Sequence, residues 1–149
     1  MIAAPAMPLS ELYEADETAW LDAMAALAAE GRTSEFDLPN LLEYLESMAK
    51  RDRKEMTSRM RVLLAHLLKL EYQPDKRSKS WKLTILEERN ELEFDCTNSR
   101  TLRNHAEAEL ATVYGKAVID AAYETGMEMS DFPSECPWTL EQLLADDGV

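Results

Sequence analysis

Glycine and cysteine are scarce in this chain of 149 residues, which has four of the first and two of the second. Cys96 and Cys136 offer no metal-ligand spacing and at most one disulfide, and with nothing secretory upstream two reduced thiols and a cytoplasmic setting are the expectation. The opening MIAAPAMPLS lacks a cationic start and is broken by Pro5 and Pro8. It fits neither a signal nor a transit peptide, and residues 1–9 are expected to be flexible. Long apolar runs are missing as well. The longest, Val62 to Leu70, contains His66 and Lys69 and falls far short of the ~20 residues of a membrane span. Strand-like alternation of any length is absent, so helices remain.

Positive charge is also in short supply, with 16 Lys and Arg against 29 Asp and Glu and a net charge of -13. That balance does not favour nucleic acid as a partner, because general duplex binders gain affinity by neutralising phosphates. The deficit is uneven. Between Lys50 and Lys82 stand eleven cations and four anions, a local balance of +7 that leaves -20 for the rest. Such polarity suits a face that meets an acidic or anionic partner, and it equally suits basic helices lying beside acidic ones within one fold.

What is present is apolar residues at helical spacing. A first helix is expected from about Asp16 to Glu30, with Trp20, Leu21, Met24, Leu27 and Ala28 on one face and Gly31 as its stop. A preceding turn can be capped by Ser10. A second starts near Asp37, with Leu41, Leu42, Leu45 and Met48 inward, and AKRDRKE reads as a break or kink after it. The third, striped by Met56, Met60, Leu63, Leu64, Leu67 and Leu70, ends at Gln73-Pro74. A fourth begins at Ser78 or Ser80 and turns Trp81, Ile85, Leu92 and Cys96 inward; CTNSRT reads as a turn. The fifth spans about Thr101 to Thr125, and Thr139 with Gln142 has the spacing of a capping box for a short last helix. The pattern predicts an all-α single domain, a compact bundle of four to five main helices with a short C-terminal helix.

Chemistry is harder to find. His66 lies at the edge of an apolar stripe, where it is either a satisfied boundary histidine or, with Lys69, part of a phosphate or carboxylate grip. His105 reads as surface. The carboxylates lack Glu-x-x-His, HExxH or calcium-loop spacing, so no metal or cofactor is expected. Cys136 has no base nearby in sequence, and no glycine-rich phosphate loop is present. An enzymatic role is not the leading reading. The segment PDKRSKSW remains: a tryptophan among cations at a helix start, which suits an anion and equally suits a capped helix with one core tryptophan. Exposed cations there oppose the helix dipole at roughly 0.3–1 kcal/mol each, and so call for an acidic neighbour from inside or outside.

The stretches LYEADETAWL, LLEYLESMAKRDRKEM, RVLLAHLLKLEYQPDKRSKSWKLTI and FPSECPWTLEQLL together resemble the bacterial "domain of unknown function 29" family, from about Leu12 to Leu144. The pattern HLLK-x-x-YQP-x-x-RS-x-SW carries most of the likeness. It implies a small, all-helical bacterial cytoplasmic protein and no particular activity. The chain departs from the pattern at Ala49, where such sequences often have glycine, and in an acidic fifth helix. The expectation is a non-enzymatic interaction module. Its candidate face comprises His66, Lys69, Tyr72, Arg77, Lys79, Ser80 and Trp81 and meets an acidic protein partner; self-association is compatible with it. The alternatives are a nucleic-acid-associated enzyme or nuclease accessory using His66, and an acidic DNA-mimic inhibitor.

Overall fold

A computed structural model describes residues 7–76 and 78–145. Six α-helices, and no strand, occur among them: α1 (Leu9–Ala15), α2 (Glu17–Ala29), α3 (Leu38–Tyr72), α4 (Lys79–Asn98), α5 (Arg100–Thr125) and α6 (Leu140–Leu144). The all-α expectation holds. Contacts group the chain into two units, Met1–Lys50 and Arg51–Val149, with α3 running through the boundary. Of the nine residues expected to be flexible, the first six lie outside the described range.

In the first unit α2 follows α1 directly. Asp16 accepts from the Ala19 amide at 3.1 Å as N-cap, and Gly31 ends the segment at φ 71, a left-handed conformation that favours glycine. The expected Ser10 cap is not formed; Pro8 sits at the start of α1 without a side-chain cap. Trp20 and Met24 are buried. Tyr13 meets the Trp20 ring edge-on, with centroids 4.7 Å apart, and Tyr44 flanks it at 5.9 Å. Trp20 Nε1 donates to Asp37 Oδ2 at 3.0 Å, and Asn40 Nδ2 donates to the same oxygen at 2.7 Å. One carboxylate thereby fixes the indole against the start of α3.

The helix does not break at AKRDRKE. Leu38–Tyr72 is one helix of 35 residues, because that segment holds no glycine or proline and consists largely of good helix formers. The loss of apolar spacing there marks a change of surroundings, not of backbone. The predicted inward face of the second helix needs a matching correction: Leu41 and Met48 are half-buried, but Leu42 and Leu45 are 59% and 56% exposed.

In the second unit the core joins Met60, Leu63, Leu64 and Leu68 of α3 to Ile85 and Leu92 of α4, Val113, Ala117 and Ala121 of α5, and Leu140 and Leu143 of α6. CTNSRT is hardly a turn: only Ser99 separates α4 from α5, and its hydroxyl accepts from the Leu102 amide at 3.1 Å. The C-terminal segment returns as expected. Phe132 is buried, Tyr114 donates to the Pro133 carbonyl at 2.7 Å, and Thr139 and Gln142 cap each other's amides. Buried Arg89 donates from Nε to the Leu143 carbonyl at 2.8 Å, giving one of the orphan acceptors at the end of α6 a partner.

Candidate functional site: the α3–α4 junction

Pro74 stops α3 by removing a donor and restricting Gln73. The chain then makes a short 3-10 turn over Pro74–Lys76, and α4 starts with Ser78 as N-cap, its hydroxyl accepting from the Trp81 amide at 3.2 Å. Ser80 Oγ lies 2.9 Å from that hydroxyl. The helix start therefore uses both serines for local hydrogen bonding.

Lys69 is the chemical centre of this junction and points inward. Its side chain is 7% exposed, Nζ is 2.5 Å from Glu124 Oε2 on α5, and it stands 5.0 Å from the centroid of the Trp81 ring on α4. One ammonium thus links three helices through an ion pair and a cation–π contact, each strengthened where water is excluded. Burial of a charge is tolerated here because its partners are fixed and Glu124 keeps half its surface in solvent.

His66, one turn earlier on α3, is half-buried. Its Nδ1 donates to the Val62 carbonyl at 2.9 Å, which leaves Nε2 as the second ring nitrogen. Burial is the main cause holding its pKa below the usual histidine value. Lys69 pushes in the same direction, while the Val62 carbonyl, Glu124 and Glu88 oppose it. Tyr72 meets Phe132 edge-on at 5.3 Å, and Gln73 Nε2 donates to Met127 Sδ at 3.2 Å, so the end of α3 is held by the C-terminal segment.

The candidate residues therefore divide. Lys69, Tyr72 and Trp81 are engaged in the packing, and His66 lies at its edge. Lys79 and Ser80 are exposed, as are Lys76 and Lys82; among the described residues these three lysines form no ion pair. Arg77 lies outside the described residues.

Sequence reasoning missed two charged clefts of the second unit. Lys54, Thr57, Ser58, Arg61, Val113 and Lys116 line a cavity of about 170 Å³. Arg61 there is held by both carboxylate oxygens of Asp120, at 2.5 and 2.7 Å, and lowers that carboxyl's pKa. The spacing of Lys54, Ser58 and Arg61 along one helix face was the available signal. The other cleft, about 210 Å³, gathers Asp52, Glu55, Glu91 and Asp95 around Arg59. Burial and then the neighbouring carboxylates raise the Asp95 pKa, against the pull of Arg59.

Neither thiol is activated. Cys136 Sγ donates to the Trp138 carbonyl at 3.3 Å, and burial raises the pKa of this thiol and of Cys96, which favours the unreactive protonated form. Among the described residues no group of three His, Cys, Asp or Glu side chains is placed to hold a metal ion, and no helix is long and apolar enough to cross a membrane.

Fold and site together define an all-helical protein with a cationic helix junction. The chain belongs to the family described as "Domain of unknown function DUF29", whose model matches residues 12–148. No curated protein and no solved structure matches the chain.

Proposed function

We propose that this chain is a non-enzymatic interaction module of the bacterial cytoplasm that binds an acidic or anionic partner, most naturally a protein, through the α3–α4 junction. The carrying observation is the contrast between two kinds of cation at one place. Lys69 is neutralised from within by Glu124, whereas exposed Lys76, Lys79 and Lys82 have no ion-pair partner among the described residues of a chain at -13. In this reading Lys69, Tyr72 and Trp81 hold the junction rigid, His66 borders it, and Lys79, Ser80 and Arg77 meet the partner. Long-range attraction between the lysines and acidic residues of the partner speeds encounter and weakens with salt.

Affinity capture from the native cell tests this, with Lys76→Glu/Lys79→Glu/Lys82→Glu against the unaltered protein and Lys69→Met as a control that leaves the surface charges in place. Loss of one captured component with the triple variant alone is the expected result. Equal capture by the triple variant overturns the reading. Neither a nucleic-acid-associated enzyme built on His66 nor an acidic DNA mimic gains a specific observation in its favour.

A further inference from the structure

Three leucines on the first part of α3 face water. Leu38, Leu42 and Leu45 are 62%, 59% and 56% exposed, although the helix that carries them is continuous and well formed. Their spacing of four and three, continued by exposed Ala49 four residues on, is the a/d spacing of a heptad and places all four along one narrow stripe. Half-buried Leu41 and Met48 border the stripe on one side. A stripe of leucines is more than the scattered single apolar residues that any surface shows.

We infer that this stripe is the contact surface for a second copy of the same chain, packed antiparallel. The sequence of the stripe is self-complementary in that direction. An antiparallel pair about a two-fold axis between residues 43 and 44 places Leu42 opposite the partner copy's Leu45 and Leu38 opposite its Ala49. Each layer then has a large residue with a facing leucine or alanine, and Leu41 falls near Met48 of the other copy along the seam. Charge selects the same direction. In that register Asp37, just before α3, faces the partner copy's Lys50 at each end of the stripe. Antiparallel pairing sets these opposite charges against each other and opposes the two helix dipoles; parallel pairing would set Asp37 beside Asp37 and Lys50 beside Lys50. An isologous two-fold contact of this kind closes on itself and so yields a dimer, not a filament. The patch is short compared with obligate interfaces, so the dimer forms reversibly with concentration.

Sedimentation or light scattering across a concentration series tests the association, and disulfide trapping tests its direction. Mass rising from monomer to dimer is expected, with Leu42→Glu shifting the midpoint to at least about tenfold higher concentration. Because Leu42 is exposed, that variant keeps its helix content. For trapping, Cys136→Ser removes the more accessible native thiol. In that background an oxidised mixture of Leu42→Cys and Leu45→Cys chains should give more cross-linked dimer than either chain alone. A monomer at every concentration, a dimer indifferent to Leu42→Glu, or preferential trapping of Leu42→Cys with itself would each overturn the inference.

Discussion

The two ends of α3 use the same residue types to opposite effect. Leu38, Leu42 and Leu45 in the first unit are more than half exposed, while Met60, Leu63, Leu64 and Leu68 in the second are fully buried. What surrounds them differs. The first unit buries Trp20 and Met24 and relies on an aromatic cluster and one shared carboxylate, Asp37, whereas the second surrounds α3 with apolar residues from α4, α5 and α6. A leucine at helical spacing therefore reports a face, and only the neighbouring elements decide whether that face is inside.

The largest test of this contrast is to truncate each kind of leucine. Leu64→Ala should cost about 2–5 kcal/mol, since a fully buried side chain leaves a cavity. Leu42→Ala should stay within about 0.5 kcal/mol when measured at concentrations where the chain is monomeric. Denaturant unfolding followed by helix signal reads both. Trp20→Ala extends the comparison: a loss of about 3–5 kcal/mol is expected, with amide-exchange protection falling first in residues of Met1–Lys50. Uniform loss of protection across both units would show that they unfold as one.

Much of this was legible in the sequence, for identifiable reasons. Helix ends marked by Asp16, Gly31, Pro74, Ser78 and the Thr139/Gln142 box are local devices, and each occurs where its side-chain or backbone chemistry places it. The unbroken passage of α3 through AKRDRKE is not legible, because an apolar gap reads like a backbone break although every residue in it favours or tolerates helix. Arg89 was missed for a related reason. It falls on the inward stripe of α4 between Ile85 and Leu92, but a charged residue is read as outward unless its acceptor, here the Leu143 carbonyl over fifty residues away, is known. At the junction, sequence found the right segment but could not separate inward Lys69 from outward Lys79, since the difference rests on Glu124 from a distant helix.

That half-buried ion pair gives the second prediction. Glu124→Gln leaves the Lys69 ammonium beside Trp81 without its counter-charge and should destabilise the second unit by about 2 kcal/mol. Lys69→Met removes the charge, keeps the volume and frees a half-exposed Glu124 to be hydrated, so its cost should stay below about 1.5 kcal/mol. The order of the two thermal midpoints checks this. A larger loss with Lys69→Met than with Glu124→Gln would mean that the ammonium contributes more than it costs to bury.

The smallest expected effect concerns His66, one turn from Lys69 and confined to the second unit. Burial holds its folded-state pKa below the value of 6.5 it has when exposed, so the unfolded chain binds a proton that the folded chain resists. Stability from this group is complete above about pH 6.5 and is lost as pH falls below that value towards the lower folded pKa. Asp120 and Glu35, whose pKa values are lowered mainly by Arg61 and Arg32, act in a separate and more acidic window near pH 4 and below, so the histidine limb stands apart from theirs. Urea midpoints measured between pH 5 and 8 should therefore decline on the acid side for the unaltered chain and flatten in His66→Gln, whose amide can still donate to the Val62 carbonyl. An unchanged acid limb in the variant would assign the slope to carboxylates and leave His66 as a residue whose ring is held in place but whose proton does not matter to the fold.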